Sequence, residues 1–206
     1  MTDILQATEK YVTGLFTLRT SAMLFYHNIG HTRYVVDAAR FIGEKCGVNG
    51  RQMEALIIAA WFHDVGYLEN KINHEDLSKH EARLFLTENG FEDTYIRQVE
   101  RCIEATRIPQ NPVDQLSAIL CDADLYNVSQ ADFMENARNF WNELAAFHGK
   151  RSTMIKYINI TLTFFQDHEF KTEYGRTVLE PGKKFNIDQM KLALEDELKM
   201  AEEEID

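Results

Sequence analysis

Three prolines and ten glycines in 206 residues leave too few breakers and turn formers for a hairpin-rich β fold. Cysteine is also scarce. Cys46, Cys102 and Cys121 are isolated, odd in number and unlike the paired spacing of a metal knuckle or a disulfide framework. They read as reduced, buried thiols of a cytosolic protein. Positive charge is short as well: 22 Lys and Arg face 33 Asp and Glu, for a formal net charge of −11. That balance excludes broad binding to a nucleic-acid polymer or an anionic membrane, which needs a basic face, but not one small basic pocket for a phosphate. No apolar run approaches membrane-spanning length, and Met1 to Gln6 has neither a basic start nor a signal-length apolar stretch. The expectation is a soluble, cytoplasmic protein.

What is abundant is helical spacing. Residues 2 to about 19 predict a first helix, with Ile4, Leu5, Val12, Leu15 and Phe16 as its apolar stripe. Asn28 or Gly30 opens a second, which Gly47 ends. Asn49 caps a third that runs to His63-Asp64 and is closed by Gly66. Further helices are expected from about His74 to Glu88 and from Asp93 to about Arg107, before Pro109 and Pro112. A short one follows from Asp114 through Leu125, then one from a Ser129 cap to about His148, and one from Ser152 to about Gln166. Gly175, Pro181 and Gly182 make Glu169 to Asn186 read as a looped crossing, with a last helix from Asp188. Without a repeat or a low-complexity linker, the chain reads as one all-α domain over residues 1–206.

The third helix carries the most informative stretch. Ala55 to Phe62 are all apolar, which reads as a helix buried on all sides, and then His63 and Asp64 follow directly. A buried carboxylate is costly unless it is paired or bound to a metal. Asp122-Ala123-Asp124 likewise ends the apolar run Ile119-Leu120-Cys121, and His31 lies on the inward face of the second helix. Two neutral imidazoles and two carboxylates balance one divalent cation. The mixed nitrogen and oxygen donors suit Mn, Fe, Co, Ni or Zn, with Mg less favoured. Six-coordination would leave two positions for a water and a substrate oxygen.

Tyr26-His27-Asn28-x-x-His31-Thr32, then His63-Asp64-Val65-Gly66-Tyr67, then Asp122-Ala123-Asp124-Leu125 resembles the HD superfamily of metal-dependent phosphohydrolases. The resemblance covers about residues 20–130 and leaves about 130–206 as a C-terminal helical extension. It implies an HD-domain helical bundle with His31, His63, Asp64 and Asp124 as metal ligands. It also implies hydrolysis of a small phosphate ester, with a nucleotide expected from the family alone. The guanosine-tetraphosphate hydrolase branch carries an acidic pair where this chain has Leu68-Glu69, so that branch fits poorly. Subgroups with two metals use histidines at a wider spacing than His74 and His80, so one divalent ion is expected.

The remaining candidates each carry a plainer alternative. His74 and Glu75 bind phosphate or position water beside Asp64, or else they begin a solvated, capped helix. Lys79 lies near the substrate in the first of these readings. Arg33 and Arg107 are candidate phosphate contacts, because guanidinium matches phosphate geometry, or simply surface arginines. His27 orients a metal ligand or closes a turn. Tyr67 lines the pocket or packs. Phe133, Phe140, Trp141, Phe147, Tyr157, Phe164 and Phe165 form core between the last helices, wall a nucleobase pocket, or offer a homodimer surface. Two rival functions stand beside the phosphohydrolase. One is a two-metal phosphodiesterase or oxygenase recruiting His74 or His80. The other is a regulatory domain that binds metal or nucleotide without turnover.

Overall fold

The computed structural model describes residues 3–19, 21–150 and 152–203, and these hold helices and no β-strand. The helices are α1 (Asp3–Arg19), α2 (Ile29–Lys45), α3 (Gly50–Phe62), α4 (His74–Glu88), α5 (Asp93–Ala105), α6 (Gln115–Asp124), α7 (Phe133–His148), α8 (Met154–Asp167) and α9 (Glu180–Glu203). No helix among the described residues is long and apolar enough to cross a membrane. The chain falls into two compact units, Met1–Leu125 and Tyr126–Asp206.

In the first unit α3 touches all five other helices. That is why its sequence is apolar all round: every residue from Ala55 to Phe62 is buried. Leu56, Ile57, Ile58 and Phe62 contribute about 1.5–3 kcal/mol each when fully buried, which makes α3 a main source of cohesion in the unit. α2 packs on both α3 and α6, and α4 and α5 pair with each other. The sequence places Gly66 as the residue that closes α3, but its role is different. The helix ends at His63, and Gly66 lies in a short 3-10 turn, Val65–Leu68. A β-carbon on Gly66 would lie 2.0 Å from the His74 carbonyl oxygen. The glycine is therefore needed for close approach of α4, not for a left-handed cap. α4 itself is preceded by Asn73 in the left-handed region, a conformation asparagine tolerates better than most residues.

The second unit corrects two expectations. Ser129 does not cap α7: its hydroxyl donates backward to the Tyr126 carbonyl at 2.8 Å, closing a 3-10 turn, and α7 begins at Phe133. The segment expected as a looped crossing from Glu169 to Asn186 is largely helical. A π-helical turn, Gly175–Leu179, leads directly into α9. The Glu180 N–H bonds the Gly175 carbonyl five residues back, so the i→i−4 ladder is already shifted where Pro181 lacks its donor. Gly182 sits inside the helix because a β-carbon there would lie 2.3 Å from the Ser129 carbonyl oxygen. One turn on, the Asn186 amide donates to the carbonyls of Val128 and Gln130, both at 2.8 Å, and fixes that approach. Phe133, Tyr157 and Phe165 are buried here as core, and the Tyr157 hydroxyl donates to the Ala137 carbonyl.

α6 begins with a reciprocal cap. Asp114 Oδ1 accepts from the Ser117 N–H at 2.8 Å, and Ser117 Oγ accepts from the Asp114 N–H at 3.0 Å. Burial would raise the Asp114 carboxyl, but the Ser117 bonds and Arg101 outweigh it and hold the pKa below its ordinary value. A lowered carboxyl stabilises the fold above its unfolded pKa, and that stabilisation is lost as pH falls through the folded value. Asp114→Ala is expected to cost about 1 kcal/mol in urea unfolding at pH 7. The gap from the parent protein should close on acidification through the carboxylate range.

Candidate metal centre

Four polar side chains reach the same point from three helix ends. His31 sits in the first turn of α2, which Asn28 caps by accepting from the Gly30 and His31 N–H groups at 2.8 and 3.3 Å. His63 is the residue at which α3 stops, and Asp64 follows it in the turn. Asp124 is the last residue of α6. The mutual packing of α2, α3 and α6 then brings these three termini together.

One ligand-type atom from each of His31, His63, Asp64 and Asp124 lies within 4.8 Å of all the others. His31 Nε2 is 3.3 Å from Asp64 Oδ2 and 3.5 Å from Asp124 Oδ1, and His63 Nε2 is 3.1 and 3.5 Å from the same two atoms. Ligands at right angles on an ion with bonds of 2.0–2.2 Å stand about 3 Å apart, so the spacing suits a first coordination shell. His63 Nδ1 lies 2.8 Å from the Ala60 carbonyl oxygen. A proton on that nitrogen leaves the Nε2 lone pair for the cluster. His31 Nε2, His63 Nε2 and Asp64 Oδ2 are all buried, and none has a well-aligned hydrogen-bond partner. Three orphaned buried polar atoms aimed at one point fit a divalent cation, which would satisfy them together. The cluster is therefore a candidate divalent-cation site.

Electrostatics give the same picture from the proton side. Burial lowers the pKa of both imidazoles, yet the neighbouring carboxylates outweigh it. Asp124 and Asp64 raise His31, and Asp64 and Asp124 raise His63 well above the ordinary range. Burial would raise the two carboxyls, but the imidazoles pull Asp64 well below its ordinary value and Asp124 down to about 2. Protons hold the cluster together when no cation does.

Beyond the four, the structure sorts the other candidates. His74 Nε2 lies 3.3 Å from Asp64 Oδ1, the carboxylate oxygen not shared with the two imidazoles, and 3.6 Å from Glu75 Oε1. Glu75 is buried, and its Oε2 meets Arg107 Nη1 at 3.0 Å. Arg107 and Lys79 do not stand free as the phosphate contacts the sequence suggests. The Arg107 guanidinium engages Glu75, Asp76 and Glu104, and Lys79 pairs with Asp76 and Glu104. Arg33 is exposed on α2, two residues from His31 and so about 200° around the helix, and is not brought to the cluster. His80 is exposed on α4. His27 is buried and stacks face to face on Tyr67 with ring centres 3.8 Å apart. It meets the His31 ring edge-on at 5.6 Å, so it supports the centre through ring packing. Tyr67 lies against His74 as well, with ring centres 4.1 Å apart, and so packs between two imidazoles.

Two further residues support the centre, and of these only Tyr26 lies in a stretch that carries the resemblance. Ser78 Oγ accepts the Gly66 N–H at 2.9 Å, which locks α4 onto the turn after Asp64 and so sets His74 beside it. Tyr26 packs on His31 with ring centres 4.6 Å apart. The serine is one turn from His74 on α4, but only the Gly66 contact reveals its use.

No protein-family model matches the sequence, and no curated protein matches it. Among solved structures, the chain is similar to one described as a predicted HD superfamily hydrolase from an uncultured Thermotogales bacterium. The fold is the HD-domain fold. The TM-score is 0.61 at 20% identity, and the likeness covers 93% of this chain and 91% of that one. That span reaches well beyond the 20–130 region in which the sequence motifs lie.

Two outcomes follow for the centre. A raised histidine pKa stabilises the metal-free fold below the unfolded value and loses that effect as pH climbs through the folded one. The lowered carboxyls stabilise above their unfolded value and lose it on acidification. Metal-free protein should thus melt highest in mildly acid solution. The Mn-dependent gain in melting temperature should grow as pH rises and the imidazoles shed their protons, which paired melts with Mn and with chelator across pH would measure. Gly66→Ala should cost about 1–3 kcal/mol in chemical denaturation and reduce bound metal, because a methyl group there displaces the start of α4.

Proposed function

We propose that the protein is a metal-dependent phosphohydrolase that cleaves a small phosphate ester with an activated water, a nucleotide being the expected substrate. The observation that carries this reading is the convergence of three orphaned, buried donor atoms with Asp124 at one point. His31, His63, Asp64 and Asp124 would hold one divalent ion, with Mn, Fe, Co, Ni or Zn preferred over Mg by the two imidazoles. Such an ion supplies Lewis-acid polarisation of a phosphoryl oxygen and a lowered pKa for bound water.

The chain's own residues supply the rest. Asp64 Oδ2 faces the imidazoles while Oδ1 faces His74, so one carboxylate spans the ion site and a proton-carrying ring. Burial lowers the His74 pKa, but Asp64 and Glu75 raise it above the ordinary value. Asp64 orients the attacking water and accepts its proton, and His74 keeps that acceptor in place. His63 is fully buried, whereas 14% of the His74 side chain and 19% of the Asp124 side chain are exposed. Substrate is expected to enter where these two meet solvent.

A second reading, a two-metal centre, is favoured by one observation: His74 Nε2 lies 3.3 Å from Asp64 Oδ1 and 3.6 Å from Glu75 Oε1, spacings similar to those of the first cluster. Metal stoichiometry separates the two. Elemental analysis of protein purified without chelator should find about one ion per chain. Asp124→Ala should lose it, and phosphate release from a nucleotide and phosphate-ester panel with added Mn should drop by about 100-fold or more. Two ions per chain would establish the second reading. A bound ion with no turnover across the panel would leave a non-catalytic metal-binding domain. No ion after Mn loading would overturn both enzyme readings.

A further inference from the structure

Arg107 is the strongest cation near the centre and the natural candidate for a phosphate contact, yet its surroundings argue otherwise. All three guanidinium nitrogens are engaged by carboxylates: Nη1 by Glu75 at 3.0 Å, Nη2 by Asp76 at 3.0 Å and Nε by Glu104 at 2.7 Å. Nη1 also reaches Asn73 Oδ1, at 3.4 Å, the residue immediately before α4. Lys79 bridges Asp76 and Glu104 from the other side. Substrate could recruit the guanidinium only by breaking this lattice and leaving the buried Glu75 carboxylate without its cation, a costly exchange. The lattice instead points inward. Glu75 Oε2 is held by Arg107, and its Oε1 lies 3.6 Å from His74 Nε2, which in turn lies 3.3 Å from Asp64 Oδ1.

We propose that Arg107 is a positioning residue that acts through Glu75 to hold the His74 imidazole against the outer carboxylate oxygen of Asp64. His74 is otherwise held by the Lys71 carbonyl at Nδ1, 3.2 Å away, and by the face of Tyr67. Those two contacts fix the ring's plane and height. Glu75 competes with Asp64 for the same Nε2, and Arg107 decides the competition. With the guanidinium in place, the Glu75 charge is taken up by Arg107 and the nearer Asp64 keeps the imidazole. Without it, a buried, unpaired Glu75 carboxylate draws the Nε2 proton to itself, and Asp64 Oδ1 loses its partner. The residue thus governs the water-orienting carboxylate from three contacts away, without touching substrate.

The kinetic half of this inference rests on the phosphohydrolase reading, and the structural half does not. The experiment compares the His74 ring signals by NMR in Arg107→Met, Glu75→Gln, the double variant and Arg107→Lys, with metal content measured on each sample. The His74 signals should move in Arg107→Met and return towards the parent position in the double variant, because Glu75→Gln removes the charge that competes for Nε2. Arg107→Lys should restore part of the shift. Bound metal should stay at the parent level. On the phosphate ester that the panel identifies, kcat should fall by about 10–100-fold at a KM within about twofold of the parent. Unmoved His74 signals in Arg107→Met would overturn the proposal. So would a raised KM at constant kcat, which marks a direct substrate contact. If the parent enzyme hydrolyses nothing but the signals still move in Arg107→Met and return in the double variant, the positioning role stands and only the phosphohydrolase reading falls.

Discussion

The first unit is organised around the cost of keeping Asp64 buried and ionised. A carboxylate withdrawn from water needs compensating partners, and here they come from three helices: His31 on α2, His63 at the end of α3 and His74 on α4. Each helix must end or begin at the right place for this to work. Asn28 fixes the first turn of α2, the Asp114–Ser117 cap fixes the start of α6 ten residues before Asp124, and Gly66 with Ser78 seats α4. Polar groups at helix ends, individually ordinary, become a centre because α2, α3 and α6 pack together.

The two oxygens of Asp64 divide the centre into two kinds of chemistry. Oδ2 belongs to the enclosed side, where buried imidazole nitrogens without aligned partners make a strong demand for a cation. Oδ1 belongs to the side built by α4, where every group is already paired and the charge is passed outward through His74, Glu75 and Arg107 to the solvent-facing acids.

Three of the four cluster residues were legible because they break an apolar pattern, His63-Asp64 after eight buried residues and Asp124 after Ile119-Leu120-Cys121, and His31 was legible from its inward helical face and the motif around it. The all-α architecture was legible for a related reason, the shortage of breakers. The roles of Arg107 and Lys79 were not, since a guanidinium that could meet phosphate could equally meet Glu75, Asp76 and Glu104. Only the pairing of α4 with α5 decides between them. The helical run through Pro181 and Gly182 was hidden too. Both residues normally stop helices, and the π-turn and the Ser129 approach that make them acceptable are tertiary facts.

The all-round burial of α3 has a consequence for the chain before it is folded. Ala55 to Phe62 carries no charge and no proline, is rich in bulky apolar groups, and is covered only when helices from both sides along the sequence have assembled on it. On a newly made or partly unfolded chain it is the stretch with the greatest tendency to self-associate. Its flanks counter this. Arg51 and Glu54 stand before it, and His63 and Asp64 after it, so the residues that build the centre in the folded protein also act as gatekeepers against aggregation in the unfolded one.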